Sequence, residues 1–297
     1  MEKITDVLKK KGFTISVELV PPRNGIHQEK ILSDLEKVKD KIDFISVTKG
    51  AGGSMRGGTI PLTYFSKEIG LNPVAHFVCR ERTKYELENE LMDLHYFGIK
   101  NILALRGDAP ADHKEEVWDG DYIYAYLLAK QISNMNYGKY LPMTNSTDEY
   151  RDGFKTDFCI VVAGHPEDPI EEEARHMKCK VDAGADAIIT QMIFSFEEYK
   201  EYVDGLKAAS INLPVIAGIR PFMSFKQLES AENFFKIKIC DELKNGLKNA
   251  GTKEAEFDFG VNYAADMIKK IQEYGGAGVH LFVLNDFDLV AEVIKRV

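Results

Sequence analysis

Eight short apolar segments recur along the chain, and most of the intervals between them carry helical patterns. The segments are Thr14–Val20, Asp43–Thr48, Pro73–Val78, Asn101–Arg106, Phe158–Ala163, Ala187–Gln191, Pro214–Gly218 and Gly278–Leu284. Helical patterns fall at His27–Lys39, Lys84–Tyr96, Tyr122–Asn134, Pro169–Ala183, Phe196–Ala208 and Phe225–Phe235. This alternation constrains the fold more than any other feature, because parallel strands need long crossover connections and a helix is the usual one. A spacing of roughly 25–35 residues suits an α/β fold of one (β/α)8 TIM barrel with extra helices. A doubly wound sheet is the alternative topology for the same pattern.

Two intervals exceed one crossover helix. Gly107–Asp157 includes a polar stretch from Asn134 to Asp157, expected to run over one face of the barrel. Phe225–Gly276 has room for two or three helices, one of them at Val261–Gln272. No linker or low-complexity tract divides the chain, so residues 1–297 are expected to form a single domain.

Apolar residues make up 44% of the chain, enough for a large core, and the net charge of −9 argues against nucleic acid as a partner. Residues Glu2–Lys11 place Ile4, Val7 and Leu8 at helical spacing, too short and too charged for a secretory leader. No segment approaches the ~18 apolar residues of a membrane helix. Cys79, Cys159, Cys179 and Cys240 form no CxxC pair, which fits reduced thiols. These features lead to the expectation of a cytoplasmic protein with no membrane partner.

Strand alternation says where chemistry could gather. Ile15, Val17 and Leu19 share one face, leaving Ser16 and Glu18 on the other. In a barrel the apolar face meets the helices, so Glu18 points inward near the C-terminal rim. The same parity places Ser46 with Thr48, Val74 with His76, Ala104 with Arg106, and Ile189 with Gln191. A carboxylate at such a strand end serves as a general acid if burial raises its pKa, whereas a salt bridge to Arg23 or a loop lysine is the structural alternative.

After Thr48 comes Lys49–Gly58 with five glycines, either a ligand-approaching loop or a flexible surface turn. It lacks the third glycine of a dinucleotide fingerprint. Arg106 and Asp108 flank Gly107 at a strand exit, suited to an anion and a polar heterocycle or to a mutual ion pair. Gln191 offers an amide that both donates and accepts. His76 and Cys79, like His176 and Cys179, form HxxC pairs too sparse for a zinc site, so no metal is expected.

Taken in order, Ser16–Arg23 (SVELVPPR), Ile45–Thr48 (ISVT), Ala104–Asp108 (ALRGD), Lys180–Ala185 (KVDAGA), Ile189–Gln191 (ITQ), Gly218–Pro221 (GIRP) and Ser224–Gln227 (SFKQ) resemble the flavin-dependent 5,10-methylenetetrahydrofolate reductases of bacteria. The resemblance covers essentially the whole chain. It implies a (β/α)8 barrel binding FAD at its C-terminal rim. It also implies reduction of 5,10-methylenetetrahydrofolate to 5-methyltetrahydrofolate, with hydride passed from NAD(P)H through FAD. Carried over residue by residue, Thr48, His76, Arg106, Gly107, Asp108, His165 and Lys180 become flavin contacts, with Tyr122 as an aromatic beside them. Glu18 becomes the acid, Gln191 and Phe225 folate contacts, and Asp108 a modulator of flavin and folate. The family's usual basic residue before Lys180 is replaced by Cys179. Homo-oligomers are common in the family. Some of its members instead receive electrons from an iron–sulfur or zinc-binding partner subunit, which is the alternative route here.

Overall fold

The computed structural model describes residues 1–50, 56–108, 120–143, 145–235 and 237–297. In chain order the elements are α1 (Ile4–Lys11), β1 (Thr14–Leu19), α2 (Glu29–Glu36), β2 (Phe44–Val47), α3 (Thr59–Glu68), β3 (Pro73–Val78), α4 (Lys84–Tyr96) and β4 (Asn101–Leu105). Then come α5 (Ala125–Asn136), β5 (Lys139–Tyr140), β6 (Arg151–Asp152), β7 (Cys159–Gly164), α6 (Ile170–Asp182), β8 (Ala187–Ile193), α7 (Phe196–Ala208) and β9 (Val215–Ile219). The chain continues through α8 (Phe225–Phe235), α9 (Asp241–Asn249), α10 (Lys253–Glu273), β10 (Gly278–Leu281) and α11 (Phe287–Ile294). Eight strands close a parallel barrel in the order β1-β10-β9-β8-β7-β4-β3-β2, with β1 joining β10 through Ser16 opposite His280. The expected (β/α)8 architecture is thus the observed one.

Alternation sorts each strand's side chains into two layers. Val17, Leu19, Ile45, Val47, Ala75, Phe77, Ile102, Ala104, Ile160 and Val162 face the helices and join their apolar stripes in the main core. The lower half of the barrel interior is a second core of Phe44, Val74, Leu103, Val161, Ala187, Ile189 and Ile216. The amphipathic α1 closes it from below with Ile4 and Leu8. Asn101 pins that plug: its Oδ1 accepts from the Ile4 N–H at 2.9 Å and its Nδ2 donates to Glu2 O at 3.1 Å.

Parity also brings one correction. Leu103 faces the barrel interior, so Ala104 faces the helices, and Arg106 does not inherit an inward position from it. The chain leaves the sheet after Leu105 and turns at Gly107, whose φ of +93° favours glycine. A Cβ there would lie 2.3 Å from Val78 Cγ1. Arg106 and Asp108 are accordingly exposed at the exit.

Three helices had no distinct assignment in the sequence pattern. Helix α3 follows the glycine-rich loop, whose residues 51–55 lie outside the described ones; its Pro61 sits in the first turn, where a missing N–H breaks no helical bond. Helices α9 and α11 are the others; α9 belongs to the extra helices foreseen between the last two barrel strands. The polar stretch after α5 forms the antiparallel β5–β6 pair. It is anchored to α4 by buried Glu88, which accepts from Leu141 N–H at 2.7 Å and from Arg151 at 3.1 Å. Among the described residues, no helix is long and apolar enough to cross a membrane.

Candidate active site at the mouth of the barrel

Closed parallel barrels carry their variable chemistry where the strands end, because there side chains leave the packed interior for solvent. Following the sheet order around that mouth from β1 gives Glu18, then Arg220 after β9, Gln191 on β8, His165 after β7, Arg106 after β4, His76 on β3 and Thr48 after β2. Seven strands thus contribute a polar or charged residue to one end.

Glu18 is the best defined of these. It sits opposite Ser46 of β2, in the last turn of alternation before Pro21 and Pro22 end the strand. Burial pushes its carboxyl up to about 6, outweighing the Thr48 hydroxyl and the Arg220 guanidinium, which both favour the ionised form. Arg220 answers in kind: burial draws its pKa down and Glu18 holds it up. The expected alternative of a salt bridge from Glu18 to Arg23 does not form, since the cation facing Glu18 is Arg220. Arg220 belongs to the recognised Gly218–Pro221 motif but had no role assigned from sequence. Its guanidinium also lies 5.4 Å from the Phe222 ring centroid.

Thr48 is buried with its hydroxyl turned to Glu18, and its carbonyl accepts from Thr59 Oγ1 at 2.9 Å. That hydroxyl keeps acceptor capacity for a ligand in the mouth. Lys49, next in the chain, turns outward: its ammonium pairs with Glu90 on α4 at 3.1 Å, sharing that carboxylate with Arg82. That geometry removes it from the mouth and disfavours Schiff-base chemistry there.

His76 lies deeper, its Nε2 3.0 Å from Ser46 Oγ. Ser46 also reaches His280 Nε2 at 3.0 Å, and His280 Nδ1 lies 2.8 Å from Ser16 Oγ. Burial drives both imidazoles down to about 3, so they are neutral throughout the physiological range. His280 was not singled out from sequence. Only the pairing register of β1 with β10 brings it to Ser16, although strand parity from Gly278 would have turned it inward.

Gln191 is half-buried at a break in the β8–β9 register between Ile189 and Met192. Its Oε1 accepts from the Met192 N–H at 3.0 Å, which leaves the amide NH2 for a partner. Beside it, Gly218 has no room for a side chain: a Cβ would approach Thr190 O to 2.5 Å and the Phe282 ring to 2.7 Å.

The β7 quarter holds a charged cluster. Half-exposed His165 places Nδ1 3.0 Å from Glu167, which raises its pKa. Glu173, almost fully buried, accepts from the His165 N–H at 3.0 Å and Tyr202 Oη at 2.9 Å. Lys180 does not enter the ring of strand ends. Its Nζ is buried behind β7 and donates to Ala163 O at 2.7 Å, with burial lowering its pKa. Tyr122 likewise packs half-buried against the helix-facing core, where its carbonyl accepts from Cys79 Sγ at 3.3 Å. Phe225 opens α8, half-buried against the cluster of Met192, Phe194 and Phe222, and its N–H donates to Glu256 at 2.9 Å. The mouth therefore combines a near-neutral acid, a hydroxyl beside it, an amide, cations and flanking aromatics.

Sequence comparisons with known proteins agree on one family. The family model described as methylenetetrahydrofolate reductase matches residues 3–297. The 5,10-methylenetetrahydrofolate reductase of Escherichia coli strain K12 is 30% identical over 287 residues, covering 92% of this chain and 86% of that protein. Methylenetetrahydrofolate reductase 1 of Schizosaccharomyces pombe is 28% identical over 311 residues, covering 99% of this chain and 48% of its own length. The chain thus spans about half the length of such fungal and plant relatives. In fold it is similar to a solved Clostridium thermocellum protein described as binding two copies of 5-methyl-5,6,7,8-tetrahydrofolic acid. That likeness has a TM-score of 0.61 at 16% identity, over 98% of this chain and 95% of the other.

Proposed function

Because the chain belongs to the methylenetetrahydrofolate reductase family, we propose that it reduces 5,10-methylenetetrahydrofolate to 5-methyltetrahydrofolate at the mouth of its barrel. The observation that carries this reading is Glu18, an inward carboxyl held near neutrality at a strand end. The substrate's five-membered ring must open to an iminium before its one-carbon unit accepts hydride. Opening needs a proton on the departing nitrogen, and a carboxyl with a pKa of about 6 is protonated often enough to give one. Arg220 and Thr48 then steady the carboxylate left behind, since both favour the ionised form.

The residues present fit FAD as the redox group. Thr48 and His76 suit the polar edge of a flavin, and exposed Arg106 would supply positive charge for its phosphates, while Lys180 would brace the end of β7 beside them through Ala163 O. His165, Gly107 and Tyr122 complete the proposed flavin set. Bound FAD would supply the hydride, taken in turn from NAD(P)H. Asp108, exposed beside Gly107, is proposed to tune the field at the flavin and folate. The Gln191 amide and the Phe225 ring are proposed to hold the folate, the ring by stacking.

An anaerobic titration of the FAD-loaded chain tests the proposal by following the flavin absorbance. NADH should bleach the flavin, and methylenetetrahydrofolate should restore it. If NADH leaves the flavin oxidised while dithionite-reduced protein is still reoxidised by the folate, electrons come from a partner subunit. If the folate reoxidises neither form, the reductase reading fails.

A further inference from the structure

Inside the barrel, beneath Glu18, four side chains from four strands form one continuous hydrogen-bonded run: His76, Ser46, His280 and Ser16, ending at the carbonyl of Val279. Its polarity follows from proton counting. Ser16 has a single hydroxyl proton, and its Oγ lies 2.9 Å from Val279 O. Two oxygens at that distance with no hydrogen between them repel, so the proton points at the carbonyl. Ser16 Oγ must then accept from His280, which makes His280 carry its proton on Nδ1. His280 Nε2 is consequently an acceptor, filled by the Ser46 hydroxyl. Ser46 Oγ in turn accepts from His76, whose proton is on Nε2.

Reversing every bond would keep the three bonds among side chains but lose the one to Val279 O. It would also leave two oxygens in unshielded contact. The run is further fixed by packing: the His280 ring stacks parallel to Phe44 at 6.2 Å and meets Phe282 edge-on at 5.1 Å.

We infer that Ser16, Ser46 and His280 are positioning residues that fix the tautomer of His76, so that its Nδ1 is an obligate acceptor for an N–H or O–H group of the ligand bound in the mouth. Among the described residues His76 Nδ1 meets no hydrogen-bond partner, and His76 keeps 7% exposure where His280 keeps 1%. His76 is thus the end of the run nearer the opening. The neutral state of both rings keeps the run intact across working pH. The run is not a proton path to solvent, because its far end is a carbonyl that holds no exchangeable proton. Assigning the ligand as a flavin, with an imide N–H or a hydroxyl as donor, rests on the proposed function.

Long-range ¹H–¹⁵N spectra of the full chain labelled at histidine test the inference directly. His76 should show a bare Nδ1 and protonated Nε2, and His280 the opposite. Protonation of His76 at Nδ1 in the wild type would overturn it. In Ser16→Ala, His280 loses the acceptor for its Nδ1 proton. Both histidines should then mix tautomers, and FAD affinity should drop about tenfold, the worth of one hydrogen bond. Ser16→Thr, which keeps the hydroxyl, should restore both readings. An unchanged His76 pattern in a folded Ser16→Ala protein would also overturn the inference, and if that variant does not fold, the wild-type spectrum still decides. Should the expected tautomers appear in a protein that binds no FAD, the fixed polarity stands and the flavin reading fails.

Discussion

The two ends of the barrel interior are built from the same strands and behave oppositely. At the lower end, Phe44, Val74, Leu103, Val161, Ala187, Ile189 and Ile216 meet the α1 plug and exclude water. A step or two further along the same inward faces stand Ser46, His76, Gln191 and, beyond β9, Arg220. The lesson is that position along a strand, rather than choice of strand, divides stability from chemistry in this molecule. The lower end satisfies its polar groups internally, as Asn101 does. The upper end instead buries Glu18 and holds its carboxyl near neutrality.

That division can be broken most directly at Glu18. Glu18→Gln should slow reduction of methylenetetrahydrofolate by about 10²–10⁴-fold in single turnover. Flavin reduction by NADH should stay close to wild type. A variant retaining near wild-type folate turnover would show that another acid serves. At the lower end, Leu103→Ala should cost about 2–5 kcal/mol in urea unfolding, through lost burial and the cavity left behind. Folate turnover per folded molecule should be retained. If turnover instead fell as far as in Glu18→Gln, the two ends would not be separable.

A smaller effect is expected from Asn101→Ala, about 1–3 kcal/mol of stability, because it orphans the Ile4 N–H and frees the plug. Hydrogen exchange at Ile4 should rise ahead of exchange in the strands. The subtlest sharpening is by pH. Glu18 is raised from 4.5 to about 6 in the folded chain, so folding favours its neutral form. Its contribution is fully present below pH 4.5 and is lost as pH rises to about 6, where the folded carboxyl also ionises. Wild type minus Glu18→Gln should therefore show stability declining across that window and flat above it. A difference that rose with pH would mean that Arg220 outweighs burial.

Much of the scaffold was legible in the sequence because barrel strands and helices announce themselves by local period. Helices α4, α7 and α8 match their sequence boundaries, and each barrel strand overlaps its apolar segment. Helix α3 was hidden behind five glycines, and α11 by a strand segment read three residues too long. That chain instead leaves β10 at Leu281 and passes through left-handed Leu284 and Asn285. Asn285 clamps the Val20 backbone with both its amide atoms there, a tertiary contact with no local signature. Alternation placed Glu18, Thr48 and His76 inward, but Arg106 follows the helix-facing parity of Ala104, because Leu103 is the residue of β4 that points into the barrel.

By itself, then, the sequence determined the parallel barrel and turned Glu18 inward near its mouth, where the acid role is proposed. Those features follow from periods of two and 3.6 residues that each segment carries alone. Tertiary structure decided which residues face one another. It set Arg220 rather than Arg23 against Glu18, drew Lys49 away to Glu90, and stacked His76, Ser46, His280 and Ser16 into one run. The physical reason is that pKa and hydrogen-bond polarity depend on burial and on neighbours from distant strands. Both are fixed only by the register in which the barrel closes.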